Sequence, residues 1–183
     1  MENRLKEIIE SDAWMLSVLK TVRELGLSDC WIGAGFVRNK VWDELHQMER
    51  TALNDIDVIY YNSTLCTKEQ DKEIENKLKK DNPTLNWSVK NQARMNIRNG
   101  HKPYLNCEDA ISFWPETATS IAVRLSKNNK IELIAPYGLA DLFNLKVVPT
   151  PKFNLAIYTE RMNKKKWNKK WPKLNIKTQN EHQ

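Results

Sequence analysis

Apolar residues recur along the chain with two different periods. Helical spacing predicts a helix over residues 2–27, which ends near Gly26. Further helices are predicted over residues 37–47, 68–82, 107–114 and 138–148. Short runs rich in β-branched and aromatic residues predict strands instead. These strands fall at the start of residues 30–39 and over residues 55–61, 85–96, 119–125 and 130–136.

The order of these elements decides the fold class. The last two strands flank a polar turn at residues 126–129 and predict a hairpin, whereas helices separate the earlier strands. This mixture predicts an α+β fold, a small mixed β-sheet flanked by helices, rather than a doubly wound parallel sheet. Pro149 and Pro151 mark a change in composition, so we expect a domain over residues 1–150 and a basic C-terminal extension over residues 151–183.

The positive charge is concentrated in that extension. The whole chain carries a net charge of +6, and residues 151–183 contain nine Lys or Arg against two acidic residues. The remainder is nearly neutral, which excludes a uniformly basic protein of the histone or ribosomal type. No segment approaches the roughly 18 apolar residues of a membrane span. A charged N-terminus and three widely spaced cysteines favour the cytoplasm.

One turn and one strand carry the candidate chemistry. Gly33 and Gly35 lie in a predicted strand-to-helix turn, where backbone amides around Ala34 would approach a phosphate at a helix N-terminus. Asp55 and Asp57 are two positions apart in a predicted strand, so their carboxylates share a face. Such a pair binds Mg²⁺ when substrate phosphates complete the coordination. Alone, each motif has an ordinary alternative, a tight turn or a capping pair, and their combination favours phosphoryl or nucleotidyl transfer.

These residues resemble a known superfamily. The string Ala-Gly-Phe-Val-Arg-Asn at residues 34–39 is similar to the Gly-Gly-Ala-Val-Arg-Asp turn of CCA-adding enzymes. With Asp-Ile-Asp at residues 55–57, the chain resembles the polymerase-β-type nucleotidyltransferases, and over residues 28–175 it is similar to a family of small bacterial proteins predicted to be nucleotidyltransferases. The resemblance implies a small mixed sheet with Mg²⁺ and a nucleoside triphosphate at the aspartate pair. It implies no particular acceptor.

A third carboxylate is expected from the same resemblance. The superfamily usually places it on a later strand between hydrophobic residues, and Glu132 in Ile131-Glu132-Leu133 has this form. Glu132 is therefore the candidate third metal ligand beside Asp55 and Asp57, and two Mg²⁺ ions would then bind. The alternative is an ion pair across the hairpin with Arg124. Without a third acid, one metal ion remains.

Basic residues of the predicted domain are candidates for binding the triphosphate. Arg38 lies just inside the helix after the turn, and Lys90 and Arg94 fall on the predicted strand over residues 85–96. Arginine makes bidentate contacts with phosphate, and lysine supplies a point charge. The alternatives are a surface position on the helix for Arg38 and a solvated strand face for Lys90.

The basic extension has two interpretations. Residues 160–173 interleave lysines with Trp167 and Trp171, a pattern typical of segments that bind a nucleic-acid backbone and stack on bases. RNA or another anionic molecule is then the expected acceptor partner. Alternatively, the two tryptophans, four residues apart, pack back on the domain while the lysines face outward.

We therefore predict a cytoplasmic, Mg²⁺-dependent nucleotidyltransferase that transfers a nucleoside monophosphate from a nucleoside triphosphate to an acceptor that the sequence does not identify. The nucleotide-binding residues would be Gly33, Ala34, Gly35, Arg38 and Lys90. Two other functions stay open at this point. One is a non-catalytic nucleotide-binding or regulatory module, and the other is an RNA- or DNA-binding protein that acts through its basic extension.

Overall fold

A five-stranded mixed sheet forms the centre of the molecule, in a computed structural model that describes residues 1–177. The strand order is β3-β2-β1-β4-β5, in which β2 and β3 are parallel and the other neighbours antiparallel. The strands are β1 (Cys30–Gly33), β2 (Ile56–Tyr60), β3 (Trp87–Asn91), β4 (Ala122–Leu125) and β5 (Ile131–Ile134), and a separate parallel pair is formed by β6 (Lys146–Val147) and β7 (Asn175–Ile176). The predicted α+β class is confirmed.

Helices flank this sheet. They are α1 (Glu2–Glu10), α2 (Ala13–Arg23), α3 (Gly35–His46), α4 (Lys68–Asp81), α5 (Gln92–Asn99), α6 (Cys107–Ile111), α7 (Ala140–Phe143), α8 (Leu155–Lys165) and α9 (Trp167–Lys170). Among residues 1–177, none has the length and apolar character needed to cross a membrane.

The prediction of one helix over residues 2–27 is wrong, because two helices occupy this range. Asp12 adopts an extended backbone between them, with φ −105° and ψ 96°. Its side chain accepts a hydrogen bond from the amide of Met15 at 3.0 Å, so it caps the start of α2. Both helices bury apolar faces in the core.

The predicted strand over residues 85–96 is also wrong in its second half. The strand ends at Asn91, whose side chain accepts a hydrogen bond from the amide of Ala93 at 3.1 Å and caps α5. Arg94 therefore lies on a helix, where it forms an ion pair with Asp71 instead of facing a phosphate. Lys90 stays on β3, in register with Ile59 of β2.

Residues 155–171, here called the C-terminal segment, pack against α3. Trp42 of α3 is contacted edge-on by Trp167 and Trp171, with ring centroids 5.3 and 5.1 Å apart. The indole nitrogen of Trp171 donates to the carboxylate of Asp43 at 2.8 Å. All three tryptophans belong to the main hydrophobic core, and β7 pairs with β6 beyond the segment. The structure thus contains the packed-back arrangement, while the boundary at residue 150 stays a prediction.

Candidate active site

The turn between β1 and α3 has a constrained backbone. A Cβ atom at Gly33 would lie 2.8 Å from the ring of Trp114, so a larger residue there would force the ring to shift. Ala34 follows with φ 53° and ψ −123°, a conformation that glycine adopts far more readily. Helix α3 begins at Gly35, and the first amides of a helix have no intrahelical partner. Ala34 and Gly35 line a cavity of about 590 Å³.

The aspartate pair faces the same cavity. Asp57 is half-buried on β2, and Asp55 is exposed just before the strand. Burial and, after it, the neighbouring charge of Asp55 raise the pKa of Asp57 to about 6, against the opposing effects of Ser88, Arg38 and Lys90. A carboxylate with a raised pKa beside a second carboxylate is stabilised by a bound cation.

Arg38 connects the turn to the rest of the cavity wall. Its side chain is buried and donates to the hydroxyl of Thr119 at 2.8 Å and to the amide oxygen of Asn39 at 3.2 and 3.0 Å. The guanidinium carbon lies 4.2 Å from the ring centroid of Trp167. Burial lowers the pKa of Arg38 to about 10, against the opposing charge of Glu116. The arginine therefore stays cationic at neutral pH.

Asn39 stands where the CCA-adding turn has an aspartate. Its amide oxygen accepts the two hydrogen bonds from Arg38 that a carboxylate would accept. An amide carries no charge, so the positive charge of Arg38 is not neutralised by its neighbour. This departure leaves an additional positive charge at the cavity for a ligand.

Glu132 lies elsewhere. It is in register with Arg124 across the hairpin of β4 and β5, and its carboxylate lies 2.6 Å from the Arg124 guanidinium. It lines a separate cavity of about 550 Å³, and β5 is three strand positions from β2, roughly 14 Å at ordinary strand spacing. Among residues 1–177, no group of three or more His, Cys, Asp and Glu is placed to hold a metal. The expectation of Glu132 as a third ligand is thus corrected to the ion-pair alternative.

Lys90 and Gly33 lie on strands next to the candidate site but do not line its cavity. Lys90 is in register with Ile59, on the sheet face that Asp57 shares, and lowers the pKa of Asp57. Its amine donates to the carbonyl oxygen of Val89 at 3.0 Å, and it does not line the cavity. Gly33 ends β1 behind the turn. The structure therefore brings Asp55, Asp57, Ala34, Gly35 and Arg38 together at one cavity.

A further part of the cavity wall was not predicted as part of the site. It consists of the C-terminal segment, which contributes Arg161, Lys165, Lys166, Lys169 and Lys170. The sequence places these residues on a basic extension with two interpretations, a nucleic-acid partner or packing back on the domain. The spacing of Trp167 and Trp171 was the available signal, because aromatic residues four apart on a helix pack on the same surface.

The donors present fit a divalent metal ion. Asp55 and Asp57 offer hard carboxylate oxygens, the ligands that Mg²⁺ prefers, and the pKa of Asp57 is raised by burial and then by the charge of Asp55. Two carboxylates leave most of the octahedral positions of Mg²⁺ to water and to substrate oxygens. The pair therefore fits an ion that binds together with a phosphate-containing substrate.

Comparison with known proteins agrees with this geometry. A family model described as Nucleotidyltransferase matches residues 20–176. A solved NMR structure, described as revealing a CCA-adding enzyme head domain, is 36% identical with a TM-score of 0.85, and the match covers 96% of this chain and 95% of that chain. No protein of curated function matches the sequence.

More distant structures share the fold. The Thermotoga maritima CCA-adding enzyme complexed with tRNA is 14% identical with a TM-score of 0.59, and the match covers 97% of this chain and 43% of that one. An apo CCA-adding enzyme is 11% identical with a TM-score of 0.58, at 97% and 43% coverage. This chain thus spans less than half of those proteins. The family match over most of the chain and the close head-domain structure show that the chain belongs to the nucleotidyltransferase family.

Proposed function

We propose that the chain is a Mg²⁺-dependent nucleotidyltransferase that transfers a nucleoside monophosphate from a nucleoside triphosphate to an acceptor. An acceptor hydroxyl or phosphate oxygen attacks the α-phosphorus, the bond to the bridging oxygen of the β-phosphate breaks, and pyrophosphate leaves. The observation that carries the proposal is that Asp55 and Asp57 line the same cavity of about 590 Å³ as the glycine-containing turn. Membership of the nucleotidyltransferase family supports it.

Each group has a separate task in this reaction. Asp55 and Asp57 would hold Mg²⁺, which when bound supplies charge neutralisation at the phosphates. The first amides of α3, beginning at Gly35, donate hydrogen bonds to a phosphate oxygen. Arg38, fixed by Thr119 and Asn39, presents a cation that does not need to reorganise during the reaction. Catalysis then comes from positioning and electrostatic stabilisation, with no covalent intermediate on the protein.

A second candidate function is a nucleotide-binding module without catalysis. It is favoured by the placement of Glu132, because the described residues supply two carboxylates at the cavity and no third. Such a module would bind a nucleoside triphosphate in the same cavity and release it unchanged. The two candidates therefore differ in turnover and not in ligand.

The decisive test is incubation with each α-³²P nucleoside triphosphate and Mg²⁺ in cell extract. We expect label to appear on an acceptor with the wild type, and the double variant Asp55→Asn/Asp57→Asn to lose about 10⁴-fold of this activity, roughly 5 kcal/mol of transition-state stabilisation. Glu132→Gln is the matched control and should keep activity within about threefold, because Glu132 lies at the other cavity. Nucleotide binding without any labelled product would support the non-catalytic module.

A further inference from the structure

Cations outnumber carboxylates around the cavity that Asp55 and Asp57 line, here called the aspartate cavity. Arg38 and five cationic residues of the C-terminal segment line it, against Asp55 and Asp57. Arg161 is neutralised by the fully buried carboxylate of Glu116, at 2.5 Å. The other cations that line the cavity are Arg38, Lys165, Lys166, Lys169 and Lys170. Within residues 1–177, none of these five forms an ion pair with an acidic side chain.

The amine of Lys165 lies in a crowded positive environment. Its pKa is lowered by burial and then by the charges of Arg161 and Arg38, and only Glu116 and Asp55 act in the opposite direction. Among the described residues it has no hydrogen-bond or ion-pair partner. Clustered cations repel one another. A polyanion in the cavity would reduce this repulsion and would be attracted by the same cations.

The segment that carries these lysines is fixed in place. Trp167 and Trp171 lie at most 7% exposed against Trp42, and Trp171 is also hydrogen-bonded to Asp43. The guanidinium of Arg38 lies over the ring of Trp167. The lysines therefore project from a backbone that is held at two buried anchors, which lowers the entropy lost when they close on a ligand.

We propose that Lys165 and Lys169 bind the β- and γ-phosphates of the nucleotide, so that the C-terminal segment is the polyphosphate-binding wall of the active site. This inference rests on the proposed function for the nucleotide and goes beyond it in naming the residues that select a triphosphate over a monophosphate. The turn before α3 holds one side of the phosphate chain and the two lysines hold the other. A nucleoside monophosphate has no β- or γ-phosphate, so we expect the two lysines to add little to its affinity.

The chain provides a matched pair of variants for the test. Lys165→Gln/Lys169→Gln changes two lysines at the cavity, and Lys164→Gln/Lys173→Gln changes two lysines of the same region away from it. Lys164 pairs with Glu160, and Lys173 donates to the carbonyl oxygen of Leu45. Both double variants lower the net charge by the same amount. Isothermal titration calorimetry with inorganic tripolyphosphate in EDTA, and with MgATP and AMP, gives the affinities.

We expect the cavity variant to bind tripolyphosphate and MgATP at least about tenfold more weakly than the wild type, with AMP affinity unchanged within about twofold. The control variant should stay within about twofold for every ligand. Equal losses in both variants, or no loss in either, would overturn the inference, because only a general charge effect or no effect would remain. Weakened binding of a single-stranded oligoribonucleotide with tripolyphosphate affinity retained would overturn it in favour of a nucleic-acid surface.

The Asp55→Asn/Asp57→Asn variant separates this inference from the proposed function. Without Mg²⁺ it should bind tripolyphosphate at least as tightly as the wild type, since two repelling carboxylates are removed and the lysines remain. Tripolyphosphate binding that depends on Lys165 and Lys169, in a protein that transfers no label, would contradict the proposed function and leave the inference standing. Loss of tripolyphosphate binding in the aspartate variant would contradict the inference.

Discussion

Two cavities of nearly equal volume differ in how the charged side chains that line them are paired. The cavity beside the hairpin of β4 and β5, about 550 Å³, is lined by Glu132 and by two arginines whose side chains have partners within the protein. Arg124 forms an ion pair with Glu132 at 2.6 Å, and Arg23 donates to Ser126 and Asn129 at 3.2 and 2.7 Å. The aspartate cavity, about 590 Å³, has a carboxylate with a raised pKa on one side and unpaired lysines on the other.

This difference separates a structural surface from a binding site. Charges that are already paired gain little from a ligand, because a ligand must first displace the existing partner. Charges that are held apart across an open space are stabilised by any ligand that carries both a cation and a polyanion. A metal–triphosphate complex has this composition, which is why the aspartate cavity is the candidate site and the hairpin cavity is not.

The backbone shows the same contrast. Both cavities are lined by a residue with positive φ, which is Gly26 at φ +68° beside the hairpin and Ala34 at φ 53° beside the aspartates. Glycine adopts this conformation without strain, whereas alanine is strained by its Cβ atom. The aspartate cavity therefore contains backbone strain as well as unpaired charge, a combination that is common at functional sites.

The largest expected effect tests whether the wall of the aspartate cavity depends on its buried anchor. Trp171→Ala removes a side chain that is 2% exposed and should lower the free energy of unfolding by about 4 kcal/mol, measured by urea denaturation. MgATP affinity should fall with it, because Lys169 loses its support. Trp171→Phe keeps a ring and loses the hydrogen bond to Asp43, so a loss of about 1–2 kcal/mol is expected. Equal stability of the alanine variant and the wild type would contradict the described packing.

An intermediate effect concerns the carboxylates of the two cavities. The pKa of Asp57 rises from 3.8 to about 6 on folding, so the folded state binds more protons than the unfolded state between these values and stability falls as the pH rises through them. Above about pH 6 the ionised Asp57 destabilises the metal-free protein. Asp57→Asn should therefore raise the free energy of unfolding by roughly 2 kcal/mol at about pH 8, and this gain should disappear near pH 4.

Glu132→Gln provides the comparison for that experiment. It breaks a half-exposed ion pair and should lower stability by at most about 1 kcal/mol at neutral pH. Mg²⁺ should stabilise the wild type and Glu132→Gln but not Asp57→Asn, as followed by thermal unfolding with and without the ion. Destabilisation by Asp57→Asn at about pH 8 without metal would mean that this carboxylate is satisfied within the protein, and the contrast between the cavities would fail.

The smallest effect comes from substitutions at Ala34 and Gly26, two of the positions with positive φ. Ala34→Gly relieves the strained turn and should stabilise the protein by about 1 kcal/mol, after the greater flexibility of glycine in the unfolded chain is subtracted. Gly26→Ala should destabilise it by a similar amount, since nothing lies within 4 Å of the added Cβ and only the backbone conformation opposes it. Thermal unfolding should show shifts of about 2–4 °C in opposite directions. Shifts of the same sign would argue against strain at Ala34.

Much of the site was predictable because its signals are local. Asp57 lies on β2 and Asp55 directly before it, two positions apart, and both line one cavity. The turn before α3 is marked by its glycines. The hairpin follows from residues close in sequence, and so does the pairing of Arg124 with Glu132, which was one of the two alternatives. These features require no knowledge of which distant strands are neighbours.

The third carboxylate and the end of β3 depend on distant contacts. The neighbour of Asp57 is decided by the parallel pairing of β2 and β3, which places Ser88 beside it. Glu132 matched the expected sequence form but lies on a strand at the opposite edge of the sheet. Asn91 ends β3 while its side chain also donates to the carbonyl oxygens of Asn62 and Leu65, at 2.8 and 2.9 Å. Hydrophobic periodicity carries no information about such contacts.

The position of the C-terminal segment required a three-dimensional partner. Its tryptophan spacing indicated docking, yet the surface on α3 that receives Trp167 and Trp171 includes the buried acid Asp43, which the sequence did not single out. The docking surface lies on α3, the helix that begins at the turn. The lysines of the docked segment therefore line the aspartate cavity. The packed-back interpretation of the segment is the one that the structure contains, and it makes the segment a wall of the candidate site.

The hydrogen bond between Asp43 and Trp171 joins residues 128 positions apart, which gives the cavity an order of assembly during synthesis. A ribosome that adds about 5–20 residues per second makes the turn and α3 roughly 6–25 s before it makes the tryptophan that docks on them. The emerging chain therefore holds its aspartates and Arg38 for many seconds without the C-terminal segment. A nucleotide cannot stabilise early folding intermediates by contacts with the C-terminal segment, because that segment has not yet been made. The complete pocket forms only late in translation.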